Sequence, residues 1–195
     1  MKDNSKIRIE NAHQTLLMIS MFSVVMLFAG LTSAYIVSKG SLGSKWDTIV
    51  LPSMFYASTC AIILSSVFGY LSVYYCKKDN LDKIKKSLFW TMLFGVFFAF
   101  FQFLGWKELV GSGKFLSGNN VASSYIYIFT IAHLAHFLGG MVALIIAFFR
   151  SQKNRYNSTD FNGLNLTIRF WHFLGILWIF LFNRIFITYF DAILG

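Results

Sequence analysis

Five long apolar stretches, separated by short clusters of charge, make up most of the chain. No Lys, Arg, Asp or Glu occurs from Asn11 to Ser38, and the next uncharged run goes from Thr48 to Cys76. Ser87–Trp106 and Ser124–Phe149 follow, and Phe170–Phe190 is interrupted only by Arg184. The apolar parts predict spans at about 15–37, 54–75, 87–106, 124–149 and 170–190, each longer than the roughly 18 residues a helix needs to cross hydrocarbon. Alternation of period two is absent, which excludes a β-barrel. Irregular backbone would leave peptide groups unsatisfied in lipid, so the spans are expected to be helices. The predicted fold class is an all-α integral membrane protein, a bundle of five transmembrane helices forming a single membrane domain over residues 1–195.

The connecting segments set the orientation. The N-terminus, the link between spans two and three and the link between spans four and five carry twelve basic residues, from Lys2 to Arg169. The other two links hold only Lys39, Lys45, Lys107 and Lys114. Basic loops stay inside, which predicts a cytoplasmic N-terminus and a C-terminus on the periplasmic side. Aromatic residues near the span edges, among them Tyr35, Trp46, Trp106, Tyr125, Trp171 and Tyr189, suit an interfacial belt. The longest link, Arg150–Arg169, is too short for a folded domain.

Composition strengthens this reading. The 195 residues are 56% hydrophobic and 13% charged, against roughly a quarter charged in a soluble domain. The net charge of +9 belongs with cytoplasmic loops meeting anionic lipid rather than with nucleic acid, because basic and aromatic residues do not interleave outside the spans. The first apolar run is too long for the core of a cleaved leader, so it reads as a retained span. Cys60 and Cys76 fall in one predicted helix, about 24 Å apart by helical rise and out of disulfide reach.

Polar residues inside the spans carry the candidate chemistry. Ala57, Ala61, Ser65 and Gly69 form a small-residue ridge on span two, and Ala135, Gly139 and Ala143 form one on span four, beside Ala132, His136 and Gly140. Such ridges let helix backbones approach closely. His133 and His136 are three residues apart and share a helix face. A metal or haem there would need ligands from a second helix. His133 lies about 13 Å below the outer surface by helical rise, whereas His13 and His172 sit at the inner surface. Hydrogen bonding between helices is therefore the favoured role for Gln102, His133, His136 and His172. No carboxylate falls in the hydrophobic part of any span, which counts against a stand-alone pump or cation-coupled transporter. Arg184 is the one formal charge inside a span. Phosphate-cradling loops and nucleophile–base pairs are absent from the sequence.

Four segments resemble one family. Span one reads Met21-Phe-Ser-Val-Val-Met-Leu-Phe-Ala-Gly-Leu-Thr-Ser-Ala-Tyr35, and span three has Gln102 followed by Trp106. Span four carries Thr130-Ile-Ala-His133-Leu-Ala-His136 with Gly139 and Gly140, and span five carries Phe170-Trp-His172-Phe-Leu-Gly-Ile-Leu-Trp178-Ile-Phe-Leu-Phe182. In these segments and their order the chain is similar to subunit III of the haem–copper terminal oxidases, in its five-helix bacterial form. The resemblance implies a multi-pass protein of the bacterial inner membrane that takes part in aerobic respiratory electron transport. It implies that the chain has no catalytic centre and binds no metal, haem or copper itself. Those groups are expected in partner subunits, with structural phospholipid bound here.

The implied partners are oxidase subunits I and II, a small subunit in place of the two missing helices, and a respiratory supercomplex. The implied role is to support proton uptake, stability and lipid binding of the oxygen-reducing subunit I. A cytochrome c oxidase is the first expectation and a quinol oxidase the second; a transporter using His133 and His136 is the alternative from another class. Arg150 falls where the family has a lipid-phosphate-binding Arg. Three family acids fall on Val24, Gly105 and Gly175, which argues against a proton-antenna role for this chain.

Overall fold

The computed structural model describes residues 2–43, 46, 52–116, 121–157 and 161–194, with side chains from Arg8 to Asn183. The expectations that rest on the side chains of Arg184 and Tyr189, and on Lys45, lie outside the described residues. Five helices run in sequence: α1 (Lys2–Leu42), α2 (Ser53–Lys77), α3 (Leu81–Gly111), α4 (Val121–Gln152) and α5 (Asn162–Leu194). No strand occurs among the described residues. All five are long and apolar enough to cross a membrane. The chain is a five-helix membrane protein.

Helices α2 and α3 form the tightest pair, joined by a turn in which Asp79 adopts φ 53° and the Asn80 side chain accepts the Lys83 N–H at 3.3 Å. A carboxamide oxygen at that position caps one of the amide donors the first helical turn leaves free. At the opposite end, the Glu108 carboxylate accepts from the Ser53 N–H at 3.3 Å and its hydroxyl at 3.4 Å. Proline precedes Ser53 and has no suitable side chain for capping, so an acid from α3 does that work at the positive pole of α2.

Helices α2 to α5 close into a ring, α5 returning to α2, and α1 lies outside it against α4 and α5 alone. The ring is filled by Trp171, Trp178, Phe98 and Phe137, all 1% exposed or less. Their size is matched by glycines opposite. A Cβ on Gly95 would lie 3.0 Å from the Trp171 ring and 2.7 Å from Met141, and one on Gly140 would lie 2.8 Å from Leu174. A Cβ on Gly105 would run into the Phe55 ring. Glycine at these positions is a requirement of close approach, the membrane form of small-residue packing.

Of the two ridges on α4, Ala132, His136 and Gly140 lean inward, whereas Ala135 is exposed and Gly139 has open space beside it. The α2 ridge turns inward, with Ala61, Ser65 and Gly69 buried.

Helix α1 is pinned at both ends. The Glu10 carboxylate accepts from the Asn162 side chain at 2.7 Å near the start of α5, and Ser38 meets the Tyr125 hydroxyl at 2.7 Å near the start of α4. Between these pins Val24 and Phe28 pack on Phe129, Leu177 and Leu181. The contacts bring the N-terminus, the α2–α3 turn and the α4–α5 connection to one end, the basic end, where Cys76 Sγ lies 3.8 Å from the Asn157 carbonyl.

Overpacking a well-filled core costs about 1–3 kcal/mol. Gly95→Leu, which drives a side chain into Trp171, is expected to lower the unfolding temperature in detergent by several degrees. An unchanged temperature would show that α3 and α5 do not depend on this contact.

Candidate functional site

Serine and threonine hydroxyls line the inside of the ring, and the indoles reach for them. Trp171 Nε1 donates to Ser65 Oγ at 3.0 Å, and Ser65 in turn donates to the Thr91 carbonyl at 2.7 Å, so one hydroxyl ties α5, α2 and α3. Trp178 Nε1 donates to Thr59 Oγ1 at 3.0 Å, and Trp106 Nε1 donates to Thr130 Oγ1 at 3.0 Å. Gln102 Nε2 donates to Ser58 Oγ at 2.9 Å, joining α3 to α2 in a fully buried contact. In hydrocarbon an unpaired donor has no water to fall back on, so each of these pairings fixes the rotation of two helices.

Of the residues expected to bridge helices, Gln102 makes such a contact. His133 lies where α1, α3, α4 and α5 converge and is 1% exposed, but neither ring nitrogen has a hydrogen-bond partner. Its neighbours are rings: Phe28, Phe98 and Trp178, with centroids 6.5, 5.8 and 5.3 Å away. On α1, position 24, one helical turn from Phe28, is a buried valine. His136, one turn nearer the basic end, places Nδ1 2.7 Å from the Ala132 carbonyl of its own helix. His172 lies on the outer flank of α5, beside Gln14 and Arg169. The fold therefore separates His172 from the His133/His136 pair, and among the described residues no three His, Cys, Asp or Glu side chains form a metal-binding group.

Arg150 lies in the last turn of α4, at the basic end. Its guanidinium reaches over the first turn of α5, where Nη1 lies 3.5 Å from the place a Gly163 Cβ would take. Of the three positions without an acid, Val24 is packed under Phe28 and Gly105 is filled by Phe55. Gly175 is different, with a Cβ there falling 3.2 Å from Ser66 Oγ beside an open cavity.

The order of these residues along five helices matches a protein-family model, cytochrome c oxidase subunit III, over residues 3–190. The chain belongs to the cytochrome c oxidase subunit III family. Among its relatives is a probable cytochrome c oxidase subunit 3 of Nocardia farcinica, 27% identical, the match covering 84% of this chain and 82% of the relative. Cytochrome c oxidase subunit 3 of Corynebacterium diphtheriae is 28% identical over 83% of this chain and 81% of the relative. The subunit 3 of Artemia franciscana is 26% identical, and the match spans 63% of that longer protein. Family membership carries association with other oxidase subunits.

Sequence reasoning missed the indole donors of this subunit III, Trp106, Trp171 and Trp178, and their acceptors Thr130, Ser65 and Thr59. A usable signal existed for one of them: Ser65 interrupts a ridge of otherwise apolar small residues. The capping role of Glu108 had no signal, since it acts across 55 residues.

An orphaned buried polar group gains nothing from its polarity, and an apolar replacement of similar shape is close to neutral. His133→Leu is expected to leave the unfolding temperature of the detergent-solubilised protein unchanged or raised. Gln102→Leu should lower it, through the loss of roughly 0.6 kcal/mol typical of a hydrogen bond between membrane helices. The reverse order would mean that His133 has a partner in the membrane.

Proposed function

We propose that this chain is a non-catalytic subunit III of a bacterial cytochrome c oxidase, supporting proton uptake, stability and lipid binding of the oxygen-reducing subunit I. What carries the reading is the sealed interior of the ring. Its polar groups are consumed in fixing helices to one another, as with Ser65, Gln102 and the indoles. The histidine at its centre is enclosed by aromatic rings. A proton relay or an ion path needs a chain of titratable or hydrated groups, and among the described residues this interior holds no buried carboxylate, only His133 with His136 one turn away. Haem and copper belong, in this reading, to partner subunits I and II. The shared name of its relatives favours cytochrome c as the donor of the complex.

Tagged chain taken from native membranes in mild detergent should bring down the large haem–copper subunits, with haem visible in a reduced-minus-oxidised spectrum. Replacing His133 and His136 together by Leu should leave that haem content unchanged. A colourless single chain from intact membranes, or haem lost with the histidines, would refute the reading.

Arg150 is the lipid-binding candidate of this proposal. A guanidinium offers a phosphate two parallel donors at the depth of the headgroups. Arg150→Gln should reduce the phospholipid retained by the purified complex and speed its inactivation during turnover. Unchanged lipid content would remove the role.

A further inference from the structure

The cavity beside Gly175 gathers polar groups that the rest of the bundle leaves unused. On α2, Ser53, Ser58, Thr59, Ser65 and Ser72 each give their hydroxyl to a partner within the protein. Among the described residues, Ser66 is the one serine or threonine of that helix that does not. Tyr70 and His172 likewise make no hydrogen bond among the described residues. All three line a single cavity of about 410 Å³ between α2 and α5.

A hydroxyl in hydrocarbon has no water to bond, so it ordinarily takes a partner on its own or a neighbouring helix. Ser66 instead faces Gly175, where a Cβ would stand 3.2 Å from its Oγ. Glycine at that position keeps the space in front of the hydroxyl open. The rest of the wall is almost entirely hydrocarbon, from Ile62, Ile63, Val67, Ile176 and Ile179. An apolar cavity of roughly 300–1,000 Å³ with a few polar groups to fix orientation is the usual form of a small-molecule site. Val67 and Ile176 are exposed, which leaves the cavity open sideways to lipid.

The polar groups stand at two levels. Tyr70 is four residues nearer the basic end than Ser66, about 6 Å by helical rise, and His172 is three residues nearer it than Gly175. Tyr70 and His172 therefore share one level, with Ser66 about a turn deeper. Beyond Ser66 the isoleucines continue away from the basic end, so that Tyr70 to Ile62 spans about 12 Å.

We propose that the α2–α5 cavity binds an isoprenoid quinone. One ring carbonyl accepts from the Ser66 hydroxyl and the other from Tyr70 or His172, and the isoprenoid chain lies along Ile62 and Ile179. Charge complementarity selects a neutral occupant, because no Lys, Arg, Asp or Glu lines the cavity and an anionic headgroup would find no counter-charge there. A bare acyl chain would leave the hydroxyl, phenol and imidazole unpaired. A ring with a carbonyl on each side meets both levels, and a methyl-branched chain suits a wall of branched side chains. The site goes beyond the supporting role proposed above, since it gives this subunit a small-molecule ligand of its own.

The test uses the oxidase complex purified from native membranes, extracted of its own quinone and titrated first with a benzoquinone and then with a naphthoquinone, each carrying two isoprene units. Native mass spectrometry counts the bound quinone, and a photoreactive analogue maps its position. The analogue should label this chain within residues 62–70 or 172–179. Ser66→Ala, which keeps the cavity and removes the hydroxyl, should weaken one binding event about fivefold, the scale of one neutral hydrogen bond. Val67→Phe, which fills the cavity from α2, should abolish that event and leave the complex assembled. A two-isoprene hydrocarbon without the ring should bind more weakly than either quinone. Labelling confined to other chains, or equal binding by Ser66→Ala and the parent, overturns the proposal. Equal binding of the hydrocarbon shows an unselective apolar groove and overturns it too. If Val67→Phe releases an oxidase subunit, a protein partner fills the cavity and the proposal fails.

Discussion

Trp171 is the contact on which the bundle turns. Apolar side chains gain little by leaving a bilayer for a protein interior, so helix association here depends on close contact and on hydrogen bonds that lipid cannot supply. The Trp171 ring fills the space beside Gly95 and its indole N–H reaches Ser65, which itself holds the Thr91 carbonyl. One side chain thus sets the separation of α3 from α5 and the rotation of α2. Trp178 and Phe55 repeat the device nearer the opposite end, the former through Thr59 and the latter against Gly105.

This way of holding together limits the chemistry that fits inside. Among the described residues, hydroxyls inside the ring are engaged in orienting tryptophans, and indole and phenyl rings fill the space between them. His133 is the exception that fits the rule, since it is enclosed by the same rings and its nitrogens bond to nothing. Leaving a buried donor without a partner costs about 1–3 kcal/mol in general. The bundle bears that cost at its centre while the surrounding aromatic contacts remain closely packed. The same contacts that exclude other occupants hold the four helices of the ring in one arrangement.

Helix α1 stands apart from this scheme. It is tied near its ends by Glu10 and Ser38 and packed in the middle through Phe28, on the side of α4. Between α1 and the exposed flank of α5 a groove is left open beside these contacts, and the two basic residues Arg150 and Arg169 come to different faces of the same end of the molecule. The outer surface is therefore uneven, with glycine-lined and grooved strips between ridges of Ile, Val and Phe.

The number of helices and their membrane character were legible from residue order alone, because charge is expelled from hydrocarbon and interrupts the apolar runs. The ridge at Ala57, Ala61, Ser65 and Gly69 was likewise legible as a packing surface, and Gln102 as a contact between helices. Which ridge of α4 turns inward was not, nor the separate fates of His133 and His136. In a soluble helix, polar residues would mark the outer face, but here Ile176 on the lipid side and Leu174 on the core side are equally apolar. Helix rotation leaves little trace in such a sequence. Only the assembled bundle decides it, through glycines that admit one ring and hydroxyls that accept one indole, and with it the placing of His133 in a ring of aromatics and of Arg169 at the mouth of an open groove.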